Sequence, residues 1–196
     1  MTPVHCCYHM LKTNQKIGIL GSSFNPPHLG HLAVIEDLIK RDIFDQIWLI
    51  PVYYHAFTKN LAPFEERLAL VDLLIRELPQ NKVQVLSTEK DLGNKPSYTI
   101  DVVTTLKLEY PDCQFWLIVG SDIQKDLDKW HRIDDLKKII QFHFIPRKGY
   151  EKSPYPEISS SEIRARLKKG LPIDHLTTPE IVSYLKQKRV YDEGKA

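Results

Sequence analysis

Residues 18 to 31 read GILGSSFNPPHLGH, a stretch that turns a buried strand into the start of a helix through a loop of small residues and prolines. Lys16 to Leu20 has the continuous β-branched, apolar character of a strand buried in a parallel sheet, and it breaks at Gly21, where small residues let the backbone approach a ligand. Pro26 and Pro27 then stiffen the exit, because Pro cannot continue the ladder and restricts the residue before it. A helix is expected to begin near His28. Its first turn offers unpaired N–H groups and partial positive charge, and His28 and His31, three residues apart, share one face of it. Two cation-capable donors therefore aim at one anion, which makes Gly21, Ser22, Ser23, Phe24, Asn25, His28 and His31 a candidate phosphate-binding loop.

Two other readings of the histidines are weaker. Zinc takes three or four protein ligands, and no Cys or carboxylate stands at a helical offset nearby, so no metal site is assigned. Ordinary surface histidines would not need the flanking strand, glycine and double proline. No Gly-Lys-Ser/Thr follows, so the loop is not a Walker loop, and it lacks Gly-x-Gly-x-x-Gly spacing.

A length of 196 residues suits one compact unit with a substantial core. The net charge of +2, with basic residues dispersed along the chain, argues against a nucleic-acid groove and for local phosphate sites. Three cysteines, two of them adjacent at Cys6 and Cys7, make no disulfide framework and point to a reducing, cytoplasmic setting. No apolar run approaches the roughly 20 residues of a membrane span. Residues 1–15 are read as a disordered tail; the cluster of His5, Cys6, Cys7 and His9 precedes the first strand and shows no apolar periodicity. Starting the chain at Met10 is expected to leave turnover and the thermal midpoint unchanged, whereas a large loss of either, or stoichiometric zinc in the full chain, would give the cluster a role. Residues 16–196 form the expected single domain, with 158–196 as its helical C-terminal part.

Further strands are expected at Ile47–Ile50, ending at Pro51, at Val83–Leu86, at Phe115–Val119, running into Gly120, and at Phe142–Ile145, closed by Pro146. Helices are expected from Phe64 to Leu78, with Leu68, Val71, Leu74 and Ile75 inward, and from Tyr98 to Tyr110, with Ile100, Val103, Thr104 and Leu106 at helical spacing. This alternation implies an α/β, doubly wound parallel sheet whose ligands bind beyond the strand ends where the order reverses, with Gly21 and Gly120 flanking the crevice. The C-terminal third adds a second anion feature. In Ile158-Ser159-Ser160-Ser161-Glu162-Ile163-Arg164, Ser159 and Glu162 have capping-box spacing, and Arg164 lies in the first turns; the alternative is a plain capped helix with a surface Arg. Thr178-Pro179-Glu180 starts a last helix, to about Lys188, with Ile181, Val182 and Leu185 inward and a packing role.

From Lys16 to Tyr191 the sequence resembles the nicotinate mononucleotide adenylyltransferases of the nucleotidyltransferase superfamily. Gly21 to His31 matches the family's Gly-Gly-Thr-Phe-Asp-Pro-x-His-x-Gly-His, Ile158 to Arg164 its Ile-Ser-Ser-x-x-Ile-Arg, Pro96 to Thr99 its Ser-Tyr-Thr segment, and Gly120-Ser121-Asp122 with Trp130-His131 its Gly-x-Asp and Trp elements. The resemblance implies a Rossmann-like nucleotidyltransferase fold and transfer of AMP from ATP to nicotinate mononucleotide in NAD biosynthesis. It implies His28, His31 and Arg164 as catalytic residues, and ATP held by the loop together with Gly120, Asp122, Ser159, Ser160 and Arg164. The mononucleotide would be held by Lys59, Tyr98, Thr99, Trp130 and His131, and Mg²⁺ would accompany ATP. Small-molecule substrates are the expected partners, with no nucleic acid and no membrane, and a homo-oligomer is left open.

Departures from the family pattern are specific. Asn25 replaces Asp; the family's Pro-Pro-His-Lys is spread over Tyr54 to Lys59, with His55 and Lys59 apart; and the stretch from Arg147 to Ile158 is short for the extra strand usual before the serine motif. Other acceptors, such as nicotinamide mononucleotide or phosphopantetheine, and a non-catalytic nucleotide sensor are the competing readings.

Overall fold

The structure is a computed structural model that describes residues 13–54, 61–147 and 152–191. Five parallel strands make one sheet: β1 (Lys16–Ser22), β2 (Gln46–Pro51), β3 (Val83–Val85), β4 (Gln114–Gly120) and β5 (Gln141–Ile145), in the order β3-β2-β1-β4-β5. Helices α1 (Leu29–Lys40), α2 (Phe64–Ile75), α3 (Thr88–Leu92), α4 (Thr99–Glu109), α5 (Ile133–Ile139), α6 (Ser160–Lys168) and α7 (Pro179–Lys188) complete it, with short 3-10 helices at Ser121–Lys125 and Leu127–Lys129. No helix among the described residues is long and apolar enough to cross a membrane.

Strand residues alternate between two cores, as the period of two requires. Ile47, Leu49 and Ile118 pack with α1, α2, α6 and α7 on one face, whereas Ile17, Ile19, Trp48, Ile50, Phe115 and Leu117 pack with α4 and α5 on the other. Runs apolar on both faces, such as Ile47–Ile50, therefore serve two cores at once. Gly18 marks a close approach within the first core: a Cβ there would lie 2.7 Å from Phe44 and Ile118. The chain winds outward from β1 to β2 and β3, then crosses back to β4 and β5, so the order reverses between β1 and β4, and Ser22 and Gly120 end the two strands that bound the crevice.

Two expectations are corrected. The inward stripe of α2 is Phe64, Arg67, Leu70, Val71, Leu74 and Ile75; Val71, Leu74 and Ile75 are as expected, but Arg67 is buried where Leu68 is only partly so. β1 continues past Gly21 to Ser22, since its pairing with β2 persists to Pro51. The short helices α3 and α5 add to the expected elements. No sixth strand is present among the described residues before Ser160, which leaves β5 at the sheet edge.

Candidate functional site

The loop between β1 and α1 is held from below by side chains on its carbonyls. Arg67 donates Nη1 to the Ser23 carbonyl at 2.8 Å, Arg164 donates Nη1 to Asn25 O at 2.6 Å, Ser160 donates its hydroxyl to Pro26 O at 2.8 Å and Thr177 to Pro27 O at 3.1 Å. Between the two arginine-bound carbonyls sits Phe24 at φ +44°, in the left-handed region that a bulky residue avoids unless its surroundings impose it. Its ring is buried against His31, with centroids 4.9 Å apart. Asn25 is buried too; its carboxamide oxygen accepts from the Tyr191 hydroxyl at 2.9 Å and the Ala62 N–H at 3.1 Å, so the side chain points into the protein. The C-terminal part therefore closes over this loop, and Leu176 O accepts the N–H of Leu29, the first residue of α1. α7 itself packs through Ile181, Val182 and Leu185, as expected, and Tyr191 just beyond it bonds the loop.

His28 caps α1 and His31 occupies its first turn, with ring centroids 3.8 Å apart. The His28 backbone N–H donates to His31 Nδ1 at 3.3 Å. A neutral ring that accepts at Nδ1 carries its proton on Nε2, so His31 presents a donor 3.5 Å from Ser22 Oγ. His28 Nδ1 is buried without a protein partner among the described residues. Burial, then the nearby Arg147 charge, pushes the His28 pKa down to about 4; burial, then His28 and Arg147, holds His31 well below the usual imidazole range. The pair therefore offers neutral N–H donors at pH 7, the uncharged form of the two cation-capable donors expected there. Gly30 makes the approach feasible: a Cβ there would lie 3.0 Å from His28 Nδ1 and 3.3 Å from Pro156 O.

A cleft of about 410 Å³ opens beside this turn, lined by Gly30, Asp122, Arg147, Ile158, Ser159 and Glu162 among others. Gly120 lies beneath it, where a Cβ would be 2.1 Å from Asp122 Oδ1 and 3.1 Å from Arg147 Cγ and Nε. Asp122 Oδ1 is buried with no protein partner among the described residues. Ser159 caps α6 as the spacing predicts, accepting the Glu162 N–H at 3.1 Å, but the Glu162 carboxylate pairs with Arg166 Nε at 3.0 Å. Arg147, missed by sequence reasoning, reaches the cleft from the end of β5, its N–H held by Ser121 Oγ at 2.9 Å. Its place just past Pro146 on a strand's carboxyl end was the available signal.

The structure thus brings Gly21, Ser22, Ser23, Phe24, Asn25, His28, His31, Ser160 and Arg164 around one loop, with Gly120, Asp122 and Ser159 across the cleft. A second group assembles apart from it: the Tyr98 ring stacks on His131, 4.0 Å between centroids and 24° between planes, with Thr99 opening α4 and half-buried Trp130 adjacent in sequence. Lys59 and His55, like residues 1–12, lie outside the described residues.

The chain matches a family model described as cytidylyltransferase-like over residues 19–166. It is 33% identical over 190 residues to the nicotinate-nucleotide adenylyltransferase of Bacillus subtilis, covering 91% of this chain and 99% of that one. It is 35% identical over the same span to a Bacillus licheniformis protein named "Probable nicotinate-nucleotide adenylyltransferase", again covering 91% and 99%. A solved structure of Plasmodium falciparum nicotinic acid mononucleotide adenylyltransferase complexed with NaAD superposes with a TM-score of 0.80 at 24% identity, covering 91% of this chain and 98% of that one, a likeness of fold.

Proposed function

The chain belongs to the cytidylyltransferase-like family and is an adenylyltransferase, and from that premise we propose that it joins ATP and nicotinate mononucleotide into the deamido form of NAD, with release of pyrophosphate. A mononucleotide phosphate oxygen attacks the α-phosphorus of ATP; a new P–O bond forms and the bond to the β-phosphate oxygen breaks. A phosphate monoester, with its second pKa near 6, is already mostly a dianion at neutral pH, so the enzyme's work is positioning and charge stabilisation. The observation that carries this reading is the paired imidazoles at the N-terminus of α1 beside a cleft edged by Arg147. His28 and His31 donate to phosphate oxygens as charge moves to the leaving pyrophosphate, and Arg147 and Arg164 neutralise the triphosphate. Charge entering the site favours the protonated rings, raising their pKa from the depressed value of the free protein.

Among the described residues no group of three or more His, Cys, Asp or Glu could hold a metal; Mg²⁺ brought with ATP would supply charge neutralisation on the phosphates. Tyr98, Thr99, Trp130 and His131 are the proposed mononucleotide side, with Lys59 assigned by resemblance. A nicotinate carboxylate fits the N-terminus of α4, whose partial positive charge gives a neutral amide less. The inward-facing Asn25 carboxamide keeps that departure away from acceptor choice. The working unit is residues 16–196, because Ser160, Arg164 and Tyr191 all bond the phosphate loop. The absence of a disulfide framework among its three cysteines supports a cytoplasmic setting.

Pyrophosphate release across a panel of acceptors with saturating ATP and Mg²⁺ tests the assignment. The expected kcat/KM is highest for nicotinate mononucleotide, and Trp130→Ala should raise KM for the acid and the amide alike. Equal values for acid and amide, a preference for the amide, or turnover of phosphopantetheine alone would overturn the acceptor but leave adenylyl transfer standing; no pyrophosphate release with any acceptor of the panel would overturn both.

A further inference from the structure

Arg67 and Glu89 are charged yet 1% and 8% exposed, and neither belongs to the groups that face ATP or the mononucleotide. Buried charges persist where other groups satisfy them, and here the partners are backbone atoms of functional loops. Arg67 donates Nε to Ala62 O at 2.9 Å and Nη1 to Ser23 O at 2.8 Å, so it grips the phosphate loop. Glu89 Oε2 accepts the Tyr53 N–H at 2.8 Å, just past the end of β2. The next residue, Tyr54, gives its N–H to Ser97 Oγ at 3.2 Å and accepts the Ser97 N–H at 3.0 Å, which ties the same turn to the residue before Tyr98 and Thr99. Phe64 fills the space shared by the two halves: Arg67 lies 5.4 Å over its ring and Tyr53 meets it edge-on at 5.5 Å. Burial holds the Arg67 pKa below its usual value and pushes that of Glu89 up, and the opposite charge of each works against that shift in the other.

We propose that Arg67 and Glu89 form a buried positioning pair that fixes the loop after β1 relative to the turn after β2, and so sets where the mononucleotide sits against ATP. Neither side chain touches substrate; both act through backbone. The assignment rests on the adenylyl-transfer reading, in which in-line attack needs reacting atoms about 3–3.5 Å apart and a misplacement near 1 Å can cost about 10²-fold in rate.

Glu89→Gln is the first test, because its amide keeps an acceptor for Tyr53 N–H and removes only the charge facing Arg67. Hydrogen exchange of the intact chain should stay slow at Tyr53 and Tyr54 and quicken at Ser23–Asn25 in this variant, whereas Glu89→Ala should quicken both. In kinetics, Glu89→Ala should raise the mononucleotide KM about tenfold and lower kcat, with ATP KM within about twofold, and Glu89→Gln should restore most of the KM. Unchanged exchange at Ser23–Asn25 in Glu89→Gln, or an unchanged mononucleotide KM in folded Glu89→Ala, overturns the pair. Exchange needs no turnover, so a wild-type protein inactive on pyridine mononucleotides would remove the functional reading while the exchange result still decides the pair.

Discussion

Replacing His28 or His31 with Ala is expected to cut kcat by on the order of 10² or more while moving the KM for ATP much less. Both rings are buried at the first turn of α1, 3.8 Å apart, and His28 Nδ1 has no protein partner among the described residues, an arrangement that a folding role alone would not favour. The proton on His31 Nε2 is set by the bond its Nδ1 accepts from the His28 backbone, so this donor is oriented before substrate arrives. Charge on the pyrophosphate grows as the bond breaks, and a pre-aimed donor there counts most in the transition state. Steady-state kinetics on each variant, with thermal melts to show that it folds, decides the matter. Near-normal kcat in both would mean that the histidines only shape the loop.

The second large effect is expected at Arg147. Arg147→Ala should lower kcat/KM for ATP by about 10²-fold, the scale of lost charge-assisted hydrogen bonds to phosphate at about 1.5–3 kcal/mol. It should also alter acid stability. Both histidines have folded-state pKa values below the unfolded 6.5, so the unfolded chain binds more protons as pH drops, and stability is lost between about 6.5 and 4, where His28 titrates. Above 6.5 the histidines contribute no pH dependence. Burial is the larger cause of both depressions and Arg147 a smaller one, so removing the guanidinium moves the folded values upward and shrinks the loss on the acid side. Melting temperatures from pH 7 to pH 4 should therefore converge on, or pass above, those of the wild type as pH falls. A variant with full ATP turnover and an unchanged acid limb would show that Arg147 belongs to solvent.

Local signals carried much of this protein into view before any tertiary contact was known. The strands at Ile47–Ile50 and Phe115–Val119 are apolar on both faces because they serve two cores, and that doubling leaves a continuous run in sequence. Ser159, through its side-chain cap, and Pro179, at a first-turn position, mark helix starts because both signals are confined to one turn. The phosphate loop was legible for the same reason: glycine, proline and histidine each impose a local constraint, and their order is the constraint itself.

What only the tertiary structure decided is how distant residues meet. Arg67 is not among the inward positions expected from the spacing of α2, yet the fold buries it, with its guanidinium on the Ser23 and Ala62 carbonyls. Tyr191, 166 residues after Asn25, turns that side chain away from the cleft, and Arg147 reaches the histidines only because β5 lies beside β4. The charge state of His28 and His31 was likewise out of reach, since it depends on burial and on a cation from another strand. Sequence fixes what acts within a turn or along a strand; desolvation and the pairing of remote polar groups exist only once the chain has closed on itself, and here they determine which residues hold the loop and which remain free for phosphate.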